Sequence, residues 1–167
     1  MIKRLVLVVL IASSVIAGQH ALAGSGSHVT ARPVLTPVAP EGVGETDHLT
    51  PRLHRAINRA IAAAAADGVE LRVTSGWRSP ERQEQLYEAA IRKYGSPRAA
   101  SQWVLPPGRS AHVLGQAVDV GPKSGATWLE KQGVHYGLCR RYDNEYWHFE
   151  LLAVAKGSVC PAREPHA

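Results

Sequence analysis

Ser110-Ala111-His112-Val113-Leu114-Gly115-Gln116-Ala117-Val118-Asp119 is the stretch on which the reading of this chain turns, taken with Glu145-Tyr146-Trp147-His148 further on. The first segment carries one imidazole and one carboxylate, and the second adds one of each. Seven residues in extended conformation span about 23 Å, so His112 and Asp119 cannot meet at one point from a single straight strand. The chain must reverse between them, and Gly115 is the residue best able to allow it. Residues 116–120 then read as a strand on which Ala117 and Asp119 face the same way. Residues 146–151 alternate aromatic and polar side chains and read as another strand. On a regular strand Glu145 and His148 point to opposite faces. For both to serve one centre, Glu145 must lie in the turn before the strand, where Asp143-Asn144 is suitable sequence.

Two histidines and one aspartate form a ligand set for zinc, which takes imidazole nitrogen and carboxylate oxygen; three protein ligands leave a fourth position open. Glu145 is then free to move protons. The spacing Ser-x-His-x-x-Gly-x-Ala-x-Asp, followed downstream by Glu-x-x-His, resembles that of the zinc D-alanyl-D-alanine carboxypeptidases and dipeptidases of bacterial wall metabolism. Every fixed position of that pattern is present. A third element of that family, a strand-end Gly-Tyr/Trp-Arg-Ser, matches Gly76-Trp77-Arg78-Ser79, so the resemblance covers about residues 69–149.

The resemblance implies an α+β fold, with a small antiparallel sheet carrying the zinc site and helices packed against it. It implies one zinc per chain on His112, Asp119 and His148. Glu145 would be the general base that takes a proton from the attacking water and returns it to the departing amine. Arg78 would face the substrate, either stabilising charge on the carbonyl oxygen or holding a terminal carboxylate. Ser110 would line the site, and Trp147 would form pocket wall. The implied activity is hydrolysis of D-alanyl-D-alanine in peptidoglycan stem peptides or precursors.

Other readings stay open on the sequence. The same zinc chemistry would serve a peptidoglycan endopeptidase or a D,D-dipeptidase. A zinc-bearing wall-binding module without turnover is a rival from another class, because the related fold also occurs in the hedgehog signalling domain; the presence of Glu145 speaks against it. A serine nucleophile at Ser110 lacks the elbow sequence such enzymes need.

Working outward, the 167 residues, 45% hydrophobic and 20% charged, suit one globular domain rather than a disordered chain. Residues 1–23 place Lys3 and Arg4 before an apolar run and end in Ala21-Leu22-Ala23, the layout of a cleavable secretory signal too short to span a bilayer. Export to a periplasmic or cell-wall space follows, with no stable membrane insertion after cleavage. Residues 24–47, with Pro33, Pro37 and Pro40, read as a flexible linker, and residues 48–167 as the catalytic domain. The net charge of +5 is dispersed, so nucleic acid is not the expected partner; a monomer is expected. Cys139 and Cys160 are the only cysteines, and in an oxidising compartment they most simply form one disulfide. Two free or zinc-binding thiols are the competing reading.

Thr50-Pro51 predicts a helix start with a capping side chain, and Leu53, Ala56, Ile57, Ala60, Ile61 and Ala64 recur at helical spacing up to Gly68. Arg52, Arg55 and Arg59 fall on another, solvated face. Val69, Leu71 and Val73 predict a strand. Ser79-Pro80 opens a second helix ending at Gly95, and Ser96-Pro97 a third running to about Val104. Residues 121–125 read as a loop and 127–132 as a helix.

Overall fold

The computed structural model describes residues 46–153, 155 and 158–167, all within the compact unit Val38–Ala167. The secretory leader and most of the linker expected over residues 1–47 lie outside the described residues. In chain order the elements are α1 (Pro51–Ala66), β1 (Arg72–Ser75), α2 (Pro80–Tyr94), α3 (Pro97–Ala100), β2 (Ala117–Gly121), α4 (Lys123–Gln132), β3 (Leu138–Arg140) and β4 (His148–Leu151). Single 3-10 turns occupy Pro107–Arg109 and Gly133–Tyr136. The strands form one antiparallel sheet in the order β1-β2-β4-β3, the expected α+β architecture. None of the described helices is long and apolar enough to cross a membrane.

α1 forms where its apolar spacing places it, and Leu53, Ala56, Ile57, Ala60 and Ala64 are buried along one stripe. The core joins that stripe to Val118 and Val120 of β2, Leu129 of α4, Leu138 of β3 and Phe149 of β4. Leu53, Ile57, Leu129 and Phe149 are fully buried, each contributing about 1.5–3 kcal/mol by leaving water. These residues cover one face of the sheet. The opposite face is left to Ala117, Asp119, His148 and Glu150.

Several local expectations change. Thr50 precedes α1, but its side chain makes no capping bond; its N–H is instead committed to the Gly115 carbonyl at 2.9 Å. Ser79 and Ser96 do cap, accepting from the N–H groups of Arg82 and Ala99. The third helix stops at Ala100 and continues only as turns. β1 begins at Arg72, because the Val69 N–H is taken by the Ala64 carbonyl at the end of α1. α4 begins at Lys123, so residues 123–125 are helix rather than loop. Gly125 disguised this: a Cβ there would lie 2.4 Å from the Glu70 carbonyl oxygen, so the helix can lie this close to the segment before β1 only with glycine. β3, three residues long, carries too little pattern to be read from sequence.

Cys139 and Cys160 are disulfide-bonded. The bond ties the segment near the C-terminus to β3, and that segment also reaches the β3–β4 connection through the Tyr142–Glu164 bridge and the Arg163–Asp143 ion pair.

Candidate metal centre and its cavity

The reversal required at Gly115 is present. Gly115 has φ +65°, its N–H reaches the His112 carbonyl, and the Gln116 N–H reaches the Ala111 carbonyl. A Cβ at Gly115 would meet the His48 carbonyl oxygen at 2.4 Å, so the turn is pressed against the entry to α1. β2 then runs back with Asp119 opposite His148 in the β2–β4 ladder. Glu145 lies ahead of β4 in the turn, and its carbonyl accepts the His148 N–H at 3.3 Å. Tyr146 and Trp147 belong to this turn, so β4 starts two residues later than its alternation suggests.

The Gly76-Trp77-Arg78 segment holds the His112 loop in place. The Gly76 carbonyl accepts His112 Nδ1–H at 2.6 Å, Trp77 Nε1–H donates to the Val113 carbonyl at 3.1 Å, and the Arg78 N–H reaches the His112 carbonyl. An irregular register between Val73 and Ser75 marks the end of β1 beside Asp119. Bulges of this kind re-aim side chains near sites, and Ser75 Oγ here accepts from Arg78 Nε at 3.0 Å.

The three expected ligand residues converge. His112 Nε2 and His148 Nδ1 are 3.2 Å apart, His148 Nδ1 and Asp119 Oδ1 are 3.2 Å apart, and His112 Nε2 and Asp119 Oδ1 are 3.3 Å apart. Donors about 2.0 Å from a tetrahedral zinc ion lie about 3.3 Å from one another. The triangle therefore has the size such an ion requires, and the donor types suit it. All three residues are at least nine-tenths buried. Each histidine uses its other ring nitrogen on an acceptor, His112 on Gly76 O and His148 on Glu150 Oε1 at 3.1 Å.

Glu145 is also buried, its Oε2 3.7 Å from His148 Nδ1. Burial pushes its carboxyl above the usual carboxylate range; the charge of His148 opposes the rise and that of Asp119 adds to it. Burial would also raise Asp119, but the hydrogen bonds and charges of His112 and His148 outweigh it and hold that carboxyl well below its ordinary range. Burial lowers His112, with Asp119 opposing. His148 is buried as well, yet the Asp119 and Glu150 bonds and the charges of Asp119 and Glu145 raise it to about 9.

Arg78 sits differently from a purely substrate-facing residue. Its Nη2 donates to Asp119 Oδ2 at 2.6 Å and its Nη1 to Gln83 Oε1 at 3.4 Å, in addition to the Ser75 bond. Gln83, 2% exposed, donates in turn to the Leu105 carbonyl at 2.7 Å. A cavity of 640 Å³ opens over this cluster, and Arg78, Ser110, His112, Asp119, Glu145, Trp147 and His148 all line it. Trp77, Trp103 and Tyr142 line it too, none of which the sequence reading assigned to the site. Glu150 was also missed, although its position two residues past His148 on a strand was a usable signal.

The family described as VanY, D-alanyl-D-alanine carboxypeptidase, matches residues 46–153. A D-alanyl-D-alanine carboxypeptidase of Enterococcus faecalis is 32% identical over 55% of this chain and 44% of its own length, so this chain spans less than half of that relative. The fold is similar to the vancomycin-resistance D,D-pentapeptidase VanY from a VanB-type cassette, solved in complex with Zn(II). That structure has 28% identity and a TM-score of 0.58, covering 63% of this chain and 74% of the other. VanYB in complex with D-alanine-D-alanine gives 28% identity and a TM-score of 0.57, covering 61% and 70%. The family match takes in the four strands of the described residues, the three converging donor atoms and Glu145, and the chain belongs to the VanY family of D-alanyl-D-alanine carboxypeptidases.

Proposed function

We propose that this protein is an exported zinc D,D-carboxypeptidase that removes the terminal D-alanine from peptidoglycan stem peptides or their precursors. One observation carries the reading: a His112–Asp119–His148 triangle of tetrahedral dimensions and the buried carboxylate of Glu145 share one cavity wall. Zinc held by that triangle would supply Lewis-acid polarisation of a carbonyl and would lower the pKa of water.

The chain's own groups account for the rest of the hydrolysis. Glu145 takes a proton from water as the oxygen adds to the peptide carbonyl, and returns it to the amine as the C–N bond breaks. Burial raises its pKa, which makes it a stronger base than an exposed glutamate. Arg78 orients Asp119 and brings a fixed positive charge to the cavity. A guanidinium has five N–H donors, so those not given to Ser75, Gln83 and Asp119 can meet an oxyanion or a terminal carboxylate. The Ser110 hydroxyl and the Trp147 ring would contact the peptide.

Export is supported by the leader pattern of residues 1–23 and by the Cys139–Cys160 disulfide, which persists in oxidising compartments. In this reading residues 24–47 are a linker, residues 48–167 act as a monomeric catalytic domain, and wall peptides are the partners.

The test is mass spectrometry of a muramyl pentapeptide ending in D-Ala-D-Ala, incubated with zinc-loaded protein, with Glu145→Ala and with a chelated control. Loss of one alanine that needs both metal and Glu145 is expected. Cleavage at an internal bond would make the protein an endopeptidase of the same chemistry. An intact peptide beside one tightly bound zinc would favour a wall-binding module.

A further inference from the structure

We propose that Glu150 is the positioning residue of the metal centre, its carboxylate holding the Nε2–H of His148 so that Nδ1 is the nitrogen offered to the ion. This rests on the zinc-site reading above and adds to it a residue outside the ligand and base set.

A neutral imidazole carries one N–H, and the acceptor that captures it decides which nitrogen is left with a lone pair. The two histidines resolve this choice in opposite ways. His112 gives Nδ1–H to the Gly76 carbonyl and presents Nε2, whereas His148 gives Nε2–H to Glu150 and presents Nδ1. The register explains the second arrangement. His148 lies directly across from Asp119, so its near ring nitrogen meets Asp119 Oδ1 and its far nitrogen projects along the same sheet face. Residue i+2 of a strand shares that face, and there it is Glu150. The cross-strand neighbours of Glu150 are Ala117 on β2 and Cys139 on β3. Ala117 is small enough to leave room for the carboxylate to bend toward the ring.

The surroundings of Glu150 point the same way. Its side chain is 14% exposed, and its carboxylate has no Lys or Arg partner among the described residues; its ion pair is with His148. A carboxylate this buried needs a compensating positive charge. A divalent ion on His148 provides it through the ring: Asp119, Glu145 and Glu150 then balance the ion and Arg78, leaving the cluster formally neutral. A carboxylate behind a ligand histidine also raises the basicity of that ligand.

The test uses the full-length protein with three measurements. Zinc affinity is measured by competition with a chromophoric chelator for wild type, Glu150→Ala and Glu150→Gln. Circular dichroism of each zinc-free variant reports folding. The third measurement, a long-range proton–nitrogen spectrum of the zinc-loaded wild type, reports ring protonation and needs no variant. Glu150→Ala should bind zinc about 10–100-fold more weakly, while Glu150→Gln, which keeps an acceptor oxygen, recovers most of the loss. In the wild type His148 should carry its proton on Nε2 and His112 on Nδ1. Zinc binding by folded Glu150→Ala within about twofold of wild type, or a His148 proton on Nδ1, overturns the proposal. Should Glu150→Ala not fold, the wild-type spectrum and the Gln variant decide. Absence of zinc binding by the wild type itself would instead sink the underlying metal-site reading.

Discussion

The two faces of the sheet are built from the same strands and serve opposite ends. On β2 and β4, Val118, Val120 and Phe149 point toward α1 and α4, while Ala117, Asp119, His148 and Glu150 share the opposite face, from which Asp119 and His148 line the cavity. The first set gains free energy by leaving water. The second brings ionisable groups into a poorly solvated place, which is costly unless each is paired and hydrogen-bonded. Alternation along one strand therefore lets a stable apolar layer hold a destabilising charged layer in fixed register. The comparison separates substitutions that should remove the fold from those that should remove only the chemistry.

The largest expected effect falls on the charged face. Glu145→Gln should lower kcat about 10²–10⁴-fold while zinc content and thermal stability stay near wild type, checked by turnover, metal analysis and calorimetry. A comparable loss of stability would mean that Glu145 supports the fold rather than the reaction. On the apolar face Phe149→Ala, adjacent in sequence to His148, should cost about 3–5 kcal/mol in denaturant unfolding. Its folded fraction should still bind one zinc, since no ligand atom is removed.

The disulfide gives a smaller effect. Cys139 lies on the cavity side of β3, across from Glu150, and its bond to Cys160 closes a loop containing Glu145 and His148. Replacing both cysteines by serine should cost about 3 kcal/mol in the chain-entropy model, seen as a lower denaturation midpoint. Full activity at low temperature is expected, since the sheet register does not depend on the bond.

The mildest probe is pH. His148 in the zinc-free protein is raised to about 9, above its unfolded value near 6.5. Its protonation therefore adds stability that is fully present below the unfolded pKa and is lost as pH rises through the folded one. Zinc must displace the Nδ1 proton, so its affinity should increase about tenfold per pH unit between roughly 6.5 and 9. The gap in Tm between zinc-loaded and zinc-free protein should widen over the same interval, measured by scanning calorimetry at fixed free zinc. A gap independent of pH would mean that His148 is already neutral before the ion arrives.

Much of the site was legible because its chemistry depends on residue type and short spacing. The meeting of His112, Asp119 and His148 beside Glu145 was readable as a candidate zinc set with a nearby base, and geometry alone required the reversal at Gly115 and the turn placement of Glu145. Less was legible where tertiary contacts override local signals. Gly125 looked like loop and lies in a helix because α4 packs against the Glu70 carbonyl. Arg78 looked like a substrate contact, and the fold commits part of its guanidinium to Asp119, 41 residues away.

The sequence by itself determined the donor types, the apolar periodicities and the turn that folds the first ligand segment back, since each is a property of neighbours in the chain. Only the tertiary structure decided which nitrogen each histidine presents, which carboxylate backs His148, and that Arg78 grips Asp119. The physical reason is the strand order β1-β2-β4-β3: hydrogen-bond partners at the site are set by the register of strands far apart in sequence, and no local pattern encodes that register.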